Sequence, residues 1–113
     1  MKLCDLLNDS VVAVNLVAEG KSDLLARLVD LAATTGQIND PVTGLHAVEE
    51  RERIMTTGIG HGVAIPHGKT DAVNDLVAAF TVLKDGIDFG SLDSQPVRLA
   101  FLLLGPKEPS GPH

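Results

Sequence analysis

The sequence predicts an α/β fold, a mixed β-sheet flanked by helices on both faces, and three observations carry that prediction. The first half of the chain holds amphipathic helix patterns with their own start and stop signals. The second half holds "LVAAFTVL" (76–83) and "VRLAFLLL" (97–104), which are almost continuously apolar instead of alternating, as in strands covered on both sides. The 113 residues, 44% of them hydrophobic, suffice for a single domain over 1–113 whose core needs neither disulfide nor metal.

Taken in order, "VVAVNLVA" (11–18) is rich in β-branched side chains and predicts a first strand. Ser22 is the expected N-cap of the helix "DLLARLVDLAATTG", which sets Leu24, Leu25, Leu28, Leu31 and Ala32 on one face. Gly36 stops it. Asp40-Pro41 starts a second helix, with a capping carboxylate and a proline at the first helical position. That helix is expected to run to about Met55 with Leu45, Val48, Ile54 and Met55 on its apolar side. A short strand through Val63–Ile65 should end at Pro66, which has no N–H and biases Ile65 to an extended conformation. Asp85-Gly86 signals a tight turn after the next strand, and "SLDSQP" a second loop. The ending "GPKEPSGPH" follows an apolar strand with no further covering element, so C-terminal elements of the layered domain are expected to be missing.

Charge narrows the function. Nine Lys and Arg against 15 Asp and Glu leave a net charge of −6. Such a balance argues against a binder of nucleic-acid backbones, which needs a basic surface to displace counterions. It permits a site for one small phosphate, and it suits a basic protein partner. Cys4 is the single cysteine, so no internal disulfide can form, as befits a reducing cytosol. Asp5, Asn8 and Asp9 interrupt any signal-peptide run, and no apolar stretch approaches the roughly 20 residues of a membrane span. A cytoplasmic location is expected.

The chemistry concentrates in "TGIGHGVAIPHGKT" (57–70). His67 is expected at a strand end, bracketed by Pro66 and Gly68, with Gly58, Gly60 and Gly62 leaving room for another molecule to approach. Phosphoryl transfer through an imidazole needs one free ring nitrogen, an acceptor to anchor the other, and donors for the phosphoryl oxygens. Arg51, on the preceding helix, has Ala47, Val48, Ile54 and Met55 at helical spacing and no local carboxylate, so a bound anion would suit it. Arg53, by contrast, has Glu49 and Glu50 as ready partners. The residues alone leave other readings open: His67 as a satisfied structural histidine, and Arg51 lying over the sheet edge. His46 reads as a solvated helix residue, and His61 as either a second acid/base group or a loop residue. A metal site from His61, His67 and His113 has no motif spacing to support it. The glycines match neither a dinucleotide fingerprint nor a GxxxxGK[ST] loop, because strand-like residues follow them.

"TGIGHGVAIPHGK", then "LKDGIDFGSLDSQPVRLAFLLLGP", then a histidine, resembles the type-2 enzyme IIA domain of the bacterial sugar phosphotransferase system, the fructose, mannitol and nitrogen-regulatory class. The likeness spans nearly the whole chain, and it is the order of the motifs that makes it specific. It implies a phosphoryl relay from a phosphorylated histidine-containing phosphocarrier protein to an enzyme IIB domain, with no metal or organic cofactor. It also implies His67 as the acceptor, Arg51 as the charge-stabilising arginine and His113 as a supporting histidine. Thr57 and Ser91 align with polar positions near the phosphate. The family continues past its second histidine, whereas His113 is the final residue of this sequence. The alternatives are a regulatory protein of the nitrogen branch, or a non-catalytic module binding a small anion or metal.

Overall fold

The structure, a computed structural model, describes residues 12–107. The β-branched run forms β1 (Val12–Leu16), which lies parallel to β5 (Val77–Ile87). β5 pairs antiparallel with β6 (Val97–Gly105), setting Phe80 against Phe101 and Thr81 against Ala100. On its other side β6 takes short parallel partners in succession, β3 (Val63–Ala64) and then β4 (His67–Lys69). β2 (Gly58–Gly60) lies antiparallel to β3. The order across the mixed sheet is β1-β5-β6-β3-β2, with β4 beside β6.

Two helices, α1 (Lys21–Ala33) and α2 (Pro41–Ile54), lie between β1 and β2 in the chain. α1 buries Leu24, Leu25, Leu28, Val29 and Ala32, and α2 adds Val48. They join Val77, Ala79, Leu83, Ala100, Leu102 and Leu104 in one core. Those strand residues alternate with Phe80, Val82, Leu99, Phe101 and Leu103, which are only half-buried. The expected mixed α/β sheet is present, yet among the described residues both helices pack on one face of it. Among the described residues the continuous apolar runs are covered by helices on one face only. Their second face forms an open apolar groove lined by Val63, Ile65, Phe80, Leu99, Phe101 and Leu103.

Local expectations differ in instructive ways. Ser22 does not cap α1, which starts behind Gly20 without a side-chain cap. Asp23 instead reaches back to accept the Glu19 N–H at 2.9 Å, and Lys21 is drawn to Glu52. Asp40 caps α2 as expected, accepting from the N–H groups of Val42 and Thr43 with Pro41 in the first turn. The apolar side of α2 differs from the one its hydrophobic pattern predicts: Ile54 is 80% and Met55 61% exposed. The buried positions are Gly44, Val48 and Glu52, spaced i, i+4, and a hydrophobic pattern passes over a glycine and a glutamate. Asp85-Gly86 makes no turn. β5 runs through both to Ile87 with a shift in register, and Gly86 is required there because a Cβ would lie 2.8 Å from the Pro96 ring. The strand from Val63 does end ahead of Pro66, at Ala64, one residue short of the expected Ile65. Pro66 lacks a donor, but its carbonyl accepts the Leu103 N–H at 3.0 Å, so pairing with β6 resumes in β4 with His67 opposite Leu103.

Candidate active site around His67

The imidazole is oriented by the backbone that precedes it. Its Nδ1 lies 2.9 Å from the Ile65 carbonyl oxygen. A carbonyl can only accept, so Nδ1 carries a proton, and in the neutral ring Nε2 keeps its lone pair. The anchor is itself fixed, because the Ile65 N–H donates to the Thr57 carbonyl at 3.0 Å. Pro66 supports the arrangement by restricting Ile65 to extended backbone.

His67, Arg51 and Lys69 line one open cavity of about 580 Å³, together with Ala47, Glu50, Arg53, Ile54 and Gly68. Arg51 is not wholly without a partner: its Nη1 donates to the Met55 carbonyl at 2.8 Å, satisfying a terminal acceptor of α2. Among the described residues no carboxylate pairs with it, whereas Arg53 pairs with Glu50, as its spacing foretold. Lys69 is a site residue that the sequence motifs did not single out. Its signal was available, since two residues along a strand return to the same side as His67. A protein of net charge −6 thus gathers cationic groups beside one imidazole, and the exposed Ile54 is an apolar wall of the same cavity.

The glycines turn out to admit the protein's own parts. A Cβ on Gly58 would lie 2.2 Å from the Ser91 hydroxyl, one on Gly60 would lie 3.2 Å from the Asp93 carboxylate, and one on Gly68 would lie 3.0 Å from the Ala47 backbone. So the expectation of glycines that admit another molecule is replaced by close internal packing. His61 and Gly62 form the turn between β2 and β3, both with positive φ, and His61 is exposed. The His61 N–H and then the Gln95 N–H hold the Asp93 carboxyl below the usual carboxylate range. This ties the turn to the loop before β6.

Thr57 and Ser91 do not line the cavity. The Thr57 hydroxyl donates to the buried Glu52 carboxylate, and the buried Ser91 hydroxyl has no hydrogen-bond partner among the described residues. His46 is exposed on α2. His113 lies outside the described residues, as does Cys4. Among the described residues no three His, Cys, Asp or Glu side chains converge as a metal site would require. No helix among them is long and apolar enough to cross a membrane.

Residues 5–113 match the profile of the family described as "Phosphoenolpyruvate-dependent sugar phosphotransferase system, EIIA 2". The chain belongs to that family. It is similar to the PTS system fructose-specific EIIA component of Haloferax volcanii, with 43% identity over 76% of this chain and 56% of that protein. It is 34% identical to the fructose-specific EIIABC component of Bacillus subtilis over 100% of this chain but 18% of that protein. The chain therefore spans about half, or much less, of these fructose-specific relatives. A nitrogen regulatory protein of Bradyrhizobium diazoefficiens is 38% identical over 100% of this chain and 73% of its own length. Among solved structures, the nitrogen regulatory protein IIA-Ntr of Neisseria meningitidis superposes with a TM-score of 0.85 at 28% identity, covering 92% of this chain and 70% of that one. The Escherichia coli mannitol IIA in complex with phosphorylated mannitol IIB shares the fold, with a TM-score of 0.78 at 20% identity over 90% of this chain and 72% of that one.

Proposed function

We propose that this EIIA-type domain accepts a phosphoryl group on Nε2 of His67 from a phosphorylated histidine-containing phosphocarrier protein and passes it to an enzyme IIB domain. The observation that carries this reading is the anchored ring: Nδ1 donates to Ile65, so the Nε2 lone pair is the nucleophile. In the forward step that lone pair forms the new N–P bond as the donor's N–P bond breaks. The displaced electron pair returns to the donor imidazole, and the reverse logic serves transfer onward to a cysteine or histidine. Arg51 and Lys69, which line the same cavity, balance charge on the phosphoryl oxygens in this reading, which is most of what such a transfer asks of a protein. His113 is the proposed supporting residue. Thr57 acts by holding the backbone rather than by touching phosphate, and Ser91 remains the other polar position that the resemblance implies. The domain works in the cytoplasm, where its donor is made.

The likeness to the IIA–IIB complex supports an enzyme IIB partner, and the fructose-specific relatives support sugar uptake as the purpose. The nitrogen regulatory relatives favour a second reading, in which the phosphorylation state of the same histidine controls another protein. Incubation with phosphoenolpyruvate, enzyme I and the phosphocarrier protein, followed by intact-mass measurement, tests the relay. An acid-labile, base-stable phosphate is expected on the parent protein and absent from His67→Ala. Arg51→Gln should slow labelling by roughly 10- to 100-fold. Equal label on His67→Ala would disprove the acceptor assignment, and no label on the parent would favour a module that only binds an anion.

A further inference from the structure

Glu52 is a buried acid that no step above uses. Its side chain is 5% exposed, and both oxygens are engaged. Oε2 pairs with Lys21 Nζ at 2.8 Å and accepts the Thr57 N–H at 3.0 Å, while Oε1 accepts that N–H at 3.1 Å and also the Thr57 hydroxyl. Lys21 is in turn seated over the Phe89 ring, 4.5 Å from its centroid. A carboxylate stays ionised in such a place only when fully compensated, and here the partners come from the start of α1 and the segment entering β2.

From Thr57 the connection continues through backbone. The Thr57 carbonyl accepts from the Ile65 N–H at 3.0 Å, and the Ile65 carbonyl accepts from His67 Nδ1 at 2.9 Å. Both backbone polar atoms of Ile65 are thus committed, one toward Glu52 and one toward the imidazole. We infer that Glu52, held by Lys21, is the positioning residue that sets the orientation and tautomer of His67 through Thr57 and Ile65. It touches no reacting atom. A carboxylate that merely joined α1 to α2 would lower stability when removed and leave the ring unchanged. The inference rests on the reading of His67 as acceptor, yet the ring is observable without any donor, so the two can fail separately.

The test is nitrogen-15 NMR of the His67 imidazole in the 113-residue chain, alongside its rate of phosphoryl acceptance. The neutral ring of the parent protein should be protonated at Nδ1. Glu52→Ala is expected to admit the Nε2–H tautomer and to slow acceptance roughly 10- to 100-fold. Glu52→Gln, whose amide oxygen still accepts from Thr57, should restore most of both. Thr57→Val removes only the hydroxyl and should move both readouts the same way, with a rate loss of roughly three- to tenfold. A folded Glu52→Ala chain with an unchanged tautomer overturns the inference, whatever its rate. Should Glu52→Ala fail to fold, an unchanged tautomer in Thr57→Val overturns it instead. If the parent accepts no phosphoryl group, the relay reading falls, and the tautomer alone judges Glu52.

Discussion

At Glu52, burial raises the pKa of the carboxyl, and hydrogen bonds from Lys21 and Thr57 more than offset it, so the net shift is downward from the ordinary value of 4.5. The sign of the consequence follows from linkage. The unfolded chain binds the proton more readily, so the stabilisation is complete above about pH 4.5 and is lost as pH falls through the lower, folded-state value. Urea unfolding between pH 3 and 6 should therefore show a steeper acid loss for the parent protein than for Glu52→Gln, which has no charge to lose. Parallel pH profiles would refute the shift. Arg51 illustrates a different lesson of single residues. Its spacing in sequence left it no local carboxylate, but did not reveal that one nitrogen would cap its own helix at Met55.

Between elements, the contact that places His67 is the one between α2 and β4. It is close because Gly68 has no side chain: a Cβ would sit 3.0 Å from the Ala47 carbonyl carbon and 3.1 Å from the Val48 nitrogen. These are helix backbone atoms, which cannot rotate aside as a side-chain tip would. Gly68→Ala should push α2 away from β4, destabilising the protein by about 1–3 kcal/mol in urea titrations. Because Arg51 rides on α2 and His67 on β4, labelling should slow in the same variant even where it remains folded. Unaltered stability would mean that the helix can shift without consequence. The glycine was legible in the sequence, but its purpose was not, since the atoms it accommodates lie some 20 residues earlier in the chain.

Across the whole molecule, the two faces of the sheet differ although the strands look uniformly apolar. Leu102 is 0% exposed against the helices, while its neighbour Leu103 faces the open groove. Leu102→Ala is expected to cost about 2–5 kcal/mol in transfer and cavity terms. Leu103→Ala, which uncovers a half-wet side chain, should cost roughly 1 kcal/mol. Urea midpoints of the two variants at neutral pH compare them directly, and equal losses would show that the groove is covered in solution. The groove also bounds what a hydrophobic pattern can tell. A strand of Leu, Ala and Phe fits a face packed by helices and one that awaits cover equally well.

Much was determined by the sequence itself. Asp40-Pro41 started α2 because capping is a local hydrogen bond, and the long strands lie where short, bounded apolar runs predicted them. The order of motifs around His67 and the apolar strands sufficed to indicate the family. Only tertiary structure decided the rest, because it depends on atoms remote in the chain. It carried β5 through Asp85-Gly86 by bringing Pro96 against Gly86, resumed the ladder after Pro66 by offering Leu103, and filled the glycines with Ser91, Asp93 and α2. It also turned a glutamate in a charged helix into the buried centre of the network behind His67. Burial and pairing are properties of the space around a residue, which its neighbours in sequence do not specify.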